Sequence, residues 1–418
     1  MAADLYLFLL SAFVLLLLWS LFDYRVVHQD WRFYWLLPRG DRFSFSLSAD
    51  SAADSGGITA GDAWMKAPFR PQPRRVLLVR ASAIGDIVFA SPLVAAFRRA
   101  YPEAHIAWLV QPEYRSLLEH HPDLNEVIVW PVREWCELWR RRRFGSLARV
   151  FGAFRQHLRS RRFDLALDLQ GLLKSGLVTH LSGARERIGL GSQEGSRWLM
   201  SRVVPRGGDS KRIGSEYLFL AQSLGLPTHD FSMAVPYGPE AADFARDLIA
   251  REGLGRGFAV ICPFTTRPQK HWFDRRWAGL SDRLQAELGL PVVMLGGAGD
   301  REAAGSIRGL AAGGPIDLAG RTTLSQAAAL IAGSTLLVGV DTGLSHMGIA
   351  FGRPSLLLFG STCPYLGTTR ANARVLYHCL DCSPCKRRPT CNGAFTCMQS
   401  IAVDEVLDAA KNLLGRTA

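Results

Sequence analysis

Leu336-Leu337-Val338-Gly339-Val340-Asp341-Thr342-Gly343-Leu344-Ser345-His346 is a short apolar run that breaks at an Asp-Thr-Gly turn and passes into a helix-like segment reaching Ala350. Apolar residues without alternation suit a strand buried on both faces, as in a parallel sheet. A turn of this kind sits at the carboxyl end of its strand, where Gly343 lets the backbone approach a ligand and the new helix offers N–H groups to an anion. Asp341 and His346 place polar side chains beside those donors. An ordinary turn capped by Asp or Thr would use the same residue types, so the rest of the chain has to decide.

Upstream of this run, Phe258–Ile261 and Val292–Leu295 read as further buried strands, and Ser355–Phe359 follows it as another. The first of these leads into Pro263-Phe264-Thr265-Thr266-Arg267-Pro268-Gln269-Lys270-His271-Trp272. Two hydroxyls and a lysine at a strand end suit a diphosphate, with Lys270 as a point charge. A second alternating unit precedes this one. It opens with Arg74–Arg80 as a strand, then Ala81-Ser82-Ala83-Ile84-Gly85-Asp86, then a helix with Val88, Leu93, Ala96 and Phe97 on its apolar face. Strands are predicted at Ile106–Val110, Val127–Trp130 and Leu165–Leu169, with helices between. No G-x-G-x-x-G follows the first strand, which disfavours a dinucleotide dehydrogenase. The expected architecture is α/β, two facing doubly wound Rossmann-like domains over 74–240 and 241–418, with the ligand cleft between them.

The length of 418 residues agrees with two cores plus an extension. A net charge of +12 predicts acidic partners. Nine arginines and no carboxylate lie between Arg140 and Arg162, on a helix whose other face carries Leu147, Val150, Phe151, Phe154 and Leu158. So many like charges suggest a standing anionic ligand, phosphates or acidic sugars. No nucleic acid is expected, because no nucleic-acid motif accompanies the patch. At the amino end, Leu5 to Phe22 is broken only by Ser11 and Ser20, enough for one membrane crossing. Residues 1–24 are therefore a candidate transmembrane anchor. Arg25, Arg32, Arg39 and Arg42 follow it and would leave the bulk of the protein in the cytoplasm. Residues 25–73 read as a tether, since from Phe43 to Pro73 the composition shifts to Ser, Ala, Asp, Gly and Pro. A chain beginning at Met65 would still hold every motif named here.

Taken jointly, four motifs resemble those of the lipopolysaccharide heptosyltransferases, glycosyltransferase family 9, and most nearly the heptosyltransferase I branch. They are Ser82–Asp86, Asp168-Leu169-Gln170-Gly171-Leu172-Leu173-Lys174-Ser175, Thr265–Arg267 with Lys270–Trp272, and Val340–His346. The resemblance implies a GT-B fold and an inverting transfer, without catalytic metal or other required cofactor, of heptose from ADP-heptose to the Kdo region of lipid A. It implies Asp86 as general base and Lys270 as the cation at the leaving diphosphate. Thr265, Thr266, Thr342, Gly343 and His346 would surround the donor, Asp341 would contact its hydroxyls, and Glu302 or Asp300 its adenosine ribose. Arg140, Arg141, Arg142, Arg143 and Lys174 would meet the acceptor. The expected place of work is the cytoplasmic face of the bacterial inner membrane, with the N-terminal helix as anchor. The chemistry agrees: a sugar hydroxyl needs a base, and a departing diphosphate needs positive charge.

Cys379, Cys382, Cys385, Cys391 and Cys397 crowd the C-terminal region with zinc-like or iron–sulfur-like spacing, a segment that resembles other branches of the family. A structural metal and a plain thiol-rich loop both fit that spacing. Two further functions use the same residues: a GT-B transferase for another nucleotide-activated sugar, and a non-catalytic membrane-anchored protein that binds anionic glycolipid. Loss of Asp86 or Lys270 would have favoured the second, and both are present.

Overall fold

The structure, a computed structural model, describes Phe69, residues 72–362, Tyr365, Gly367, Thr368, 371–385 and 389–415. The expected anchor over 1–24 lies outside these residues, as does the tether except for Phe69, Gln72 and Pro73. Among the described residues no helix is long and apolar enough to cross a membrane. The end of the tether packs, contrary to its compositional reading. Phe69 is buried, with its ring 6.4 Å from that of Tyr101 and the Arg202 guanidinium 5.8 Å above it.

The first sheet is built from β1 (Arg75–Val79), β2 (His105–Val110), β3 (Glu126–Val129), β4 (Leu165–Asp168), β5 (Glu186–Leu190) and β6 (Arg202–Val204). All its pairings are parallel, in the order β3-β2-β1-β4-β5-β6. The second contains β7 (Ala259–Cys262), β8 (Val292–Met294), β9 (Ile316–Asp317), β10 (Leu336–Val340), β11 (Ser355–Phe359) and β12 (Ala373–Tyr377), again all parallel, ordered β12-β11-β10-β7-β8-β9. Counted from its own first strand, the second sheet repeats the order of the first. Each is a doubly wound sheet, and in each the order reverses between its first and fourth strands.

Apolar runs become central strands because both faces are covered. Val76 and Leu78 pack with Ile87, Leu93 and Tyr217, whereas Leu77 and Val79 point the other way, toward Trp135, Phe154 and Leu158. In the second sheet Ala259 and Ile261 face Trp277 and Leu280, while Val260 and Cys262 join Leu330 and Ile331. That last cluster continues into the first domain, so one apolar layer runs through the junction. The helix Pro239–Arg251 packs on Leu324–Gly333 of the second domain.

The two sheets are brought together where the helix Ile84–Ala90, after β1, meets the helix Gly343–Ala350, after β10. Glycine on each side permits it. A methyl group on Gly343 would stand 2.4 Å from Cβ of Ile84, and one on Gly85 would stand 2.7 Å from Cδ2 of His346. Alanine in a helix is intrinsically about 1 kcal/mol better than glycine, so Gly343→Ala should not weaken the second domain by itself. It should force the two helix starts apart. The expected outcome is an unchanged thermal midpoint for the second domain, a larger radius of gyration by X-ray scattering, and a turnover at least tenfold lower. A compact, fully active Gly343→Ala protein would show that the contact is dispensable.

Candidate active site

A cleft of about 640 Å³ opens between the carboxyl ends of the two sheets. Its walls come from the switch points. Asp86 follows β1, Thr265 and Thr266 follow β7, and Asp341 follows β10. The loop carrying Thr265 and Lys270 is held from behind: His271 Nε2 lies 2.7 Å from the Thr265 carbonyl, and the buried Trp272 donates from Nε1 to the Ile401 carbonyl at 3.1 Å. Lys270 is thereby aimed inward, at Asp341.

Asp341 is the hub of a buried polar chain. Its Oδ2 pairs with Lys270 Nζ at 2.5 Å and accepts from the Thr362 hydroxyl at 2.7 Å. Its Oδ1 stands 3.3 Å from His346 Nε2, and His346 Nδ1 is 2.5 Å from the Tyr365 hydroxyl. Burial and the Asp341 charge raise the Tyr365 phenol well above its ordinary value. Tyr365 therefore donates to Nδ1, which puts the imidazole proton on Nε2, directed at Asp341. Burial alone would push the Asp341 carboxyl up, but the hydrogen bond from His346 and the charge of Lys270 outweigh it and hold the group well below the usual carboxylate range. The ring of Phe89, from the first domain, lies 4.6 Å from that of His346 and closes the junction from the opposite side. The helix beginning at Gly343 opens at this end of the cleft, which Gly343 and Leu344 line with amides that have no acceptor within the helix.

Asp86 faces these groups from the first domain. Its Oδ2 pairs with Arg80 and accepts from the Ala83 amide at 3.4 Å. On its far side lies a second cavity of about 410 Å³, sharing Asp86 and Phe89 and otherwise walled by the loop from Arg206 to Glu216 and by Tyr365. This loop is clipped to the second domain. Gly367 donates to the Lys211 carbonyl at 2.7 Å and Ile213 donates to the Gly367 carbonyl at 2.9 Å. Arg206 is anchored by Glu216 and by the Gln170 carbonyl, and Arg212 lines the cavity beside it.

Thr265, Thr266, Lys270, Asp341, Thr342, Gly343 and His346 line one cleft with Asp86. Other residues do not join them. Glu302 is exposed in the first turn of its helix, and Asp300 lines the cleft instead, its carboxylate accepting from the Gly297 amide at 2.7 Å. Arg140, Arg141, Arg142 and Arg143 are exposed at the junction of the helices Val132–Arg140 and Phe144–Ser160 and line neither cavity. Lys174 is buried in the first turn of the helix Leu173–Leu181. Arg206, Ser210 and Arg212 were missed, although the basic, glycine-bearing stretch Arg206–Arg212 was a visible signal.

The cysteines of 379–397 are all free thiols. Cys382, Cys385, Cys391 and Cys397 are near enough for their charges to interact, yet among the described residues no group of three His, Cys, Asp or Glu side chains has the geometry to hold a metal ion. Burial raises the thiols of Cys385 and Cys397.

The Lys270–Asp341 pair has a pH signature. A carboxyl held low in the folded state stabilises the fold above its unfolded pKa of about 3.9, and that contribution is lost as the pH falls below it toward the folded value. Asp341→Asn should cost about 3 kcal/mol near neutrality, because Lys270 is left buried without its charge partner. The gap between wild type and variant should narrow steadily from about pH 5 to pH 3. Denaturant melts at both ends of that range check it, and a pH-independent gap would contradict the pairing.

Known proteins are similar to this chain in sequence and in fold. The family model described as glycosyltransferase family 9 (heptosyltransferase) matches residues 151–395. The lipopolysaccharide heptosyltransferase 1 of Pseudomonas aeruginosa is 33% identical over 325 residues, covering 76% of this chain and 87% of that protein. The enzyme of the same name from Escherichia coli K12 is 28% identical, over 70% of this chain and 89% of its own. Among solved structures, a family 9 glycosyl transferase from Veillonella parvula superposes with a TM-score of 0.68 at 20% identity, covering 82% of this chain and 97% of its own. An Escherichia coli heptosyltransferase solved with ADP-2-deoxy-2-fluoro heptose gives 0.61 at 24%, over 82% and 100%. At those identities the two structures show a shared fold.

Proposed function

The chain belongs to glycosyltransferase family 9, the heptosyltransferases, and from that premise we propose that it transfers heptose from ADP-heptose to the Kdo or inner-core region of lipid A, with inversion, in lipopolysaccharide core synthesis. The observation that carries this reading is the position of Asp86, a carboxylate between two cavities. One is lined with groups suited to a diphosphate and the other with arginines suited to an acidic sugar.

In this reading the donor lies in the larger cleft. Its diphosphate meets Lys270, the hydroxyls of Thr265 and Thr266, and the amides that open the helix at Gly343. Asp341 offers its carboxylate to the sugar hydroxyls, and Asp300, in preference to Glu302, faces the adenosine ribose. The acceptor enters from the side of Arg206 and Arg212, with its hydroxyl next to Asp86. As the acceptor oxygen bonds to the anomeric carbon, its proton passes to Asp86. The bond from that carbon to the donor phosphate breaks, and ADP leaves with the electron pair. Charge grows on the departing diphosphate, where Lys270 and the helix start act on it without a divalent metal. The exposed arginines at 140–143 are left to the anionic lipid surface that presents the acceptor at the cytoplasmic face of the inner membrane. The apolar run Leu5–Phe22 serves as anchor there.

Two substitutions separate the donor chemistry. Asp86→Asn keeps size but not basicity, so kcat should fall about a hundredfold or more with donor affinity hardly changed. Lys270→Ala should impair both donor binding and kcat, because the lysine meets the diphosphate before and during departure. Near-normal turnover of Asp86→Asn with ADP-heptose and a Kdo-bearing lipid acceptor would remove the base from this mechanism.

A third substitution tests the acceptor side. Arg212→Ala should raise the acceptor KM about tenfold and leave the donor KM alone. An unchanged acceptor KM would move the acceptor out of the second cavity.

A further inference from the structure

The carboxylate read as the base is only one end of a polar chain, and its partner Arg80 lies outside the four motifs. Arg80 follows β1 directly, and its main chain is fixed on both sides: the amide donates to the Leu109 carbonyl at 3.3 Å and the carbonyl accepts from Trp108 Nε1 at 3.1 Å. Its guanidinium is out of water, with the side chain only 8% exposed, whereas the side chain of Asp86 is 40% exposed. Nη1 donates to the Leu169 carbonyl at 2.9 Å, and Nη2 pairs with Asp86 Oδ2. A guanidinium planted this way cannot follow a wandering partner, so the partially exposed carboxylate has to come to it.

Behind Arg80 stands Asp168, the last residue of β4, in register with Val79 and wholly buried. Its Oδ1 accepts from the Gln170 and Gly171 amides at 3.1 and 3.0 Å, and its Oδ2 has no hydrogen-bond partner among the described residues. Burial pushes this carboxyl up to about 6, against the hydrogen bonds of Gly171, Ser175 and Gln170 and the charge of Arg80. The helix Ser215–Ser223 supplies the remaining groups that face Arg80. These are Tyr217, fully buried, and Glu216, which is itself paired with Arg206. Arg80 is therefore a single buried cation with Asp86 in front, Asp168 behind and Glu216 to one side.

We propose that Arg80 is the positioning residue of the transfer, holding Asp86 by Oδ2 so that Oδ1 is the oxygen presented to the acceptor hydroxyl. A base has to sit within hydrogen-bond reach of the proton it takes. The inference rests on Asp86 being the base, and it adds a requirement that the base alone does not carry.

Kinetics on the full-length enzyme test it. Arg80→Gln should lower kcat about thirtyfold or more with the donor KM within twofold of wild type. Arg80→Lys, which keeps the charge but not the fork, should return most but not all of kcat. In an Asp86→Asn background, Arg80→Gln should have no further effect on kcat, because its action passes through that carboxylate. In the same Asp86→Asn background Arg80→Lys should likewise change nothing. That arm reads the same coupling if Arg80→Gln does not fold.

Unchanged kcat in folded Arg80→Gln, or a loss confined to donor KM, would overturn the positioning role. So would a further loss of kcat on adding Arg80→Gln or Arg80→Lys to Asp86→Asn. Failure of the base reading itself looks different: Asp86→Asn would then turn over normally, whatever Arg80 does.

Discussion

The structure depends on the close approach of two helix starts, one from each sheet. Asp86 and Asp341 belong to different domains and follow different strands, β1 and β10. They share a cleft because the helices behind them meet at Gly85 and Gly343, where a methyl group on either would overlap His346 or Ile84. Phe89 then stacks on His346 and seals the junction. A glycosyl transfer needs its base and its leaving-group cation on opposite sides of one carbon atom. Two separately folded sheets can meet that demand only if something sets their spacing, and here backbone contact sets it.

Within that frame the electrostatics are arranged as two buried hubs of opposite sign. Asp341 gathers Lys270, His346 and Thr362, and through His346 it reaches Tyr365. Arg80 gathers Asp86 and the Leu169 carbonyl, with Asp168 and Glu216 nearby. Neither hub is a surface ion pair, so each acts at short range in a medium that screens poorly. The Asp341 hub keeps the lysine in place and partly neutralised before any diphosphate arrives. The Arg80 hub keeps a half-exposed carboxylate in one orientation. The loop Arg206–Glu216 connects the two, since it carries Glu216 toward Arg80 and is clipped to Gly367, two residues beyond Tyr365.

Much of this was legible in the chain because it is local. The central strands of both sheets are unbroken apolar runs, and β10 and β11 lie over the residues expected, Leu336–Val340 and Ser355–Phe359. The motifs after β1, β7 and β10 were placed at strand ends by the turn residues that follow those runs. What escaped were β5, β6, β9 and β12. Glu186–Leu190 begins with two charged residues, β6 and β9 have three and two residues, and β12 is an edge strand with only Leu376 buried. Short or half-covered strands carry no apolar run to read.

By itself, then, the sequence determined that two parallel α/β sheets form and which hydroxyls, cation and carboxylates stand at their strand ends, since all of that follows from periodicity and turn chemistry within about fifteen residues of each strand. Only the tertiary structure decided which basic residues share the cleft. The densest charge in the chain, Arg140–Arg143, proved to be exposed at a helix junction, while the sparser Arg206 and Arg212 line the cavity beside Asp86. It also decided that Arg80, written in the chain as the polar end of a strand, is a buried partner of Asp86 held by a carbonyl from β4's far end. Charge density along a chain reports composition, but burial and pairing depend on which strands become neighbours, and β1 lies beside β4 only through a crossover of eighty-five residues that no local pattern encodes.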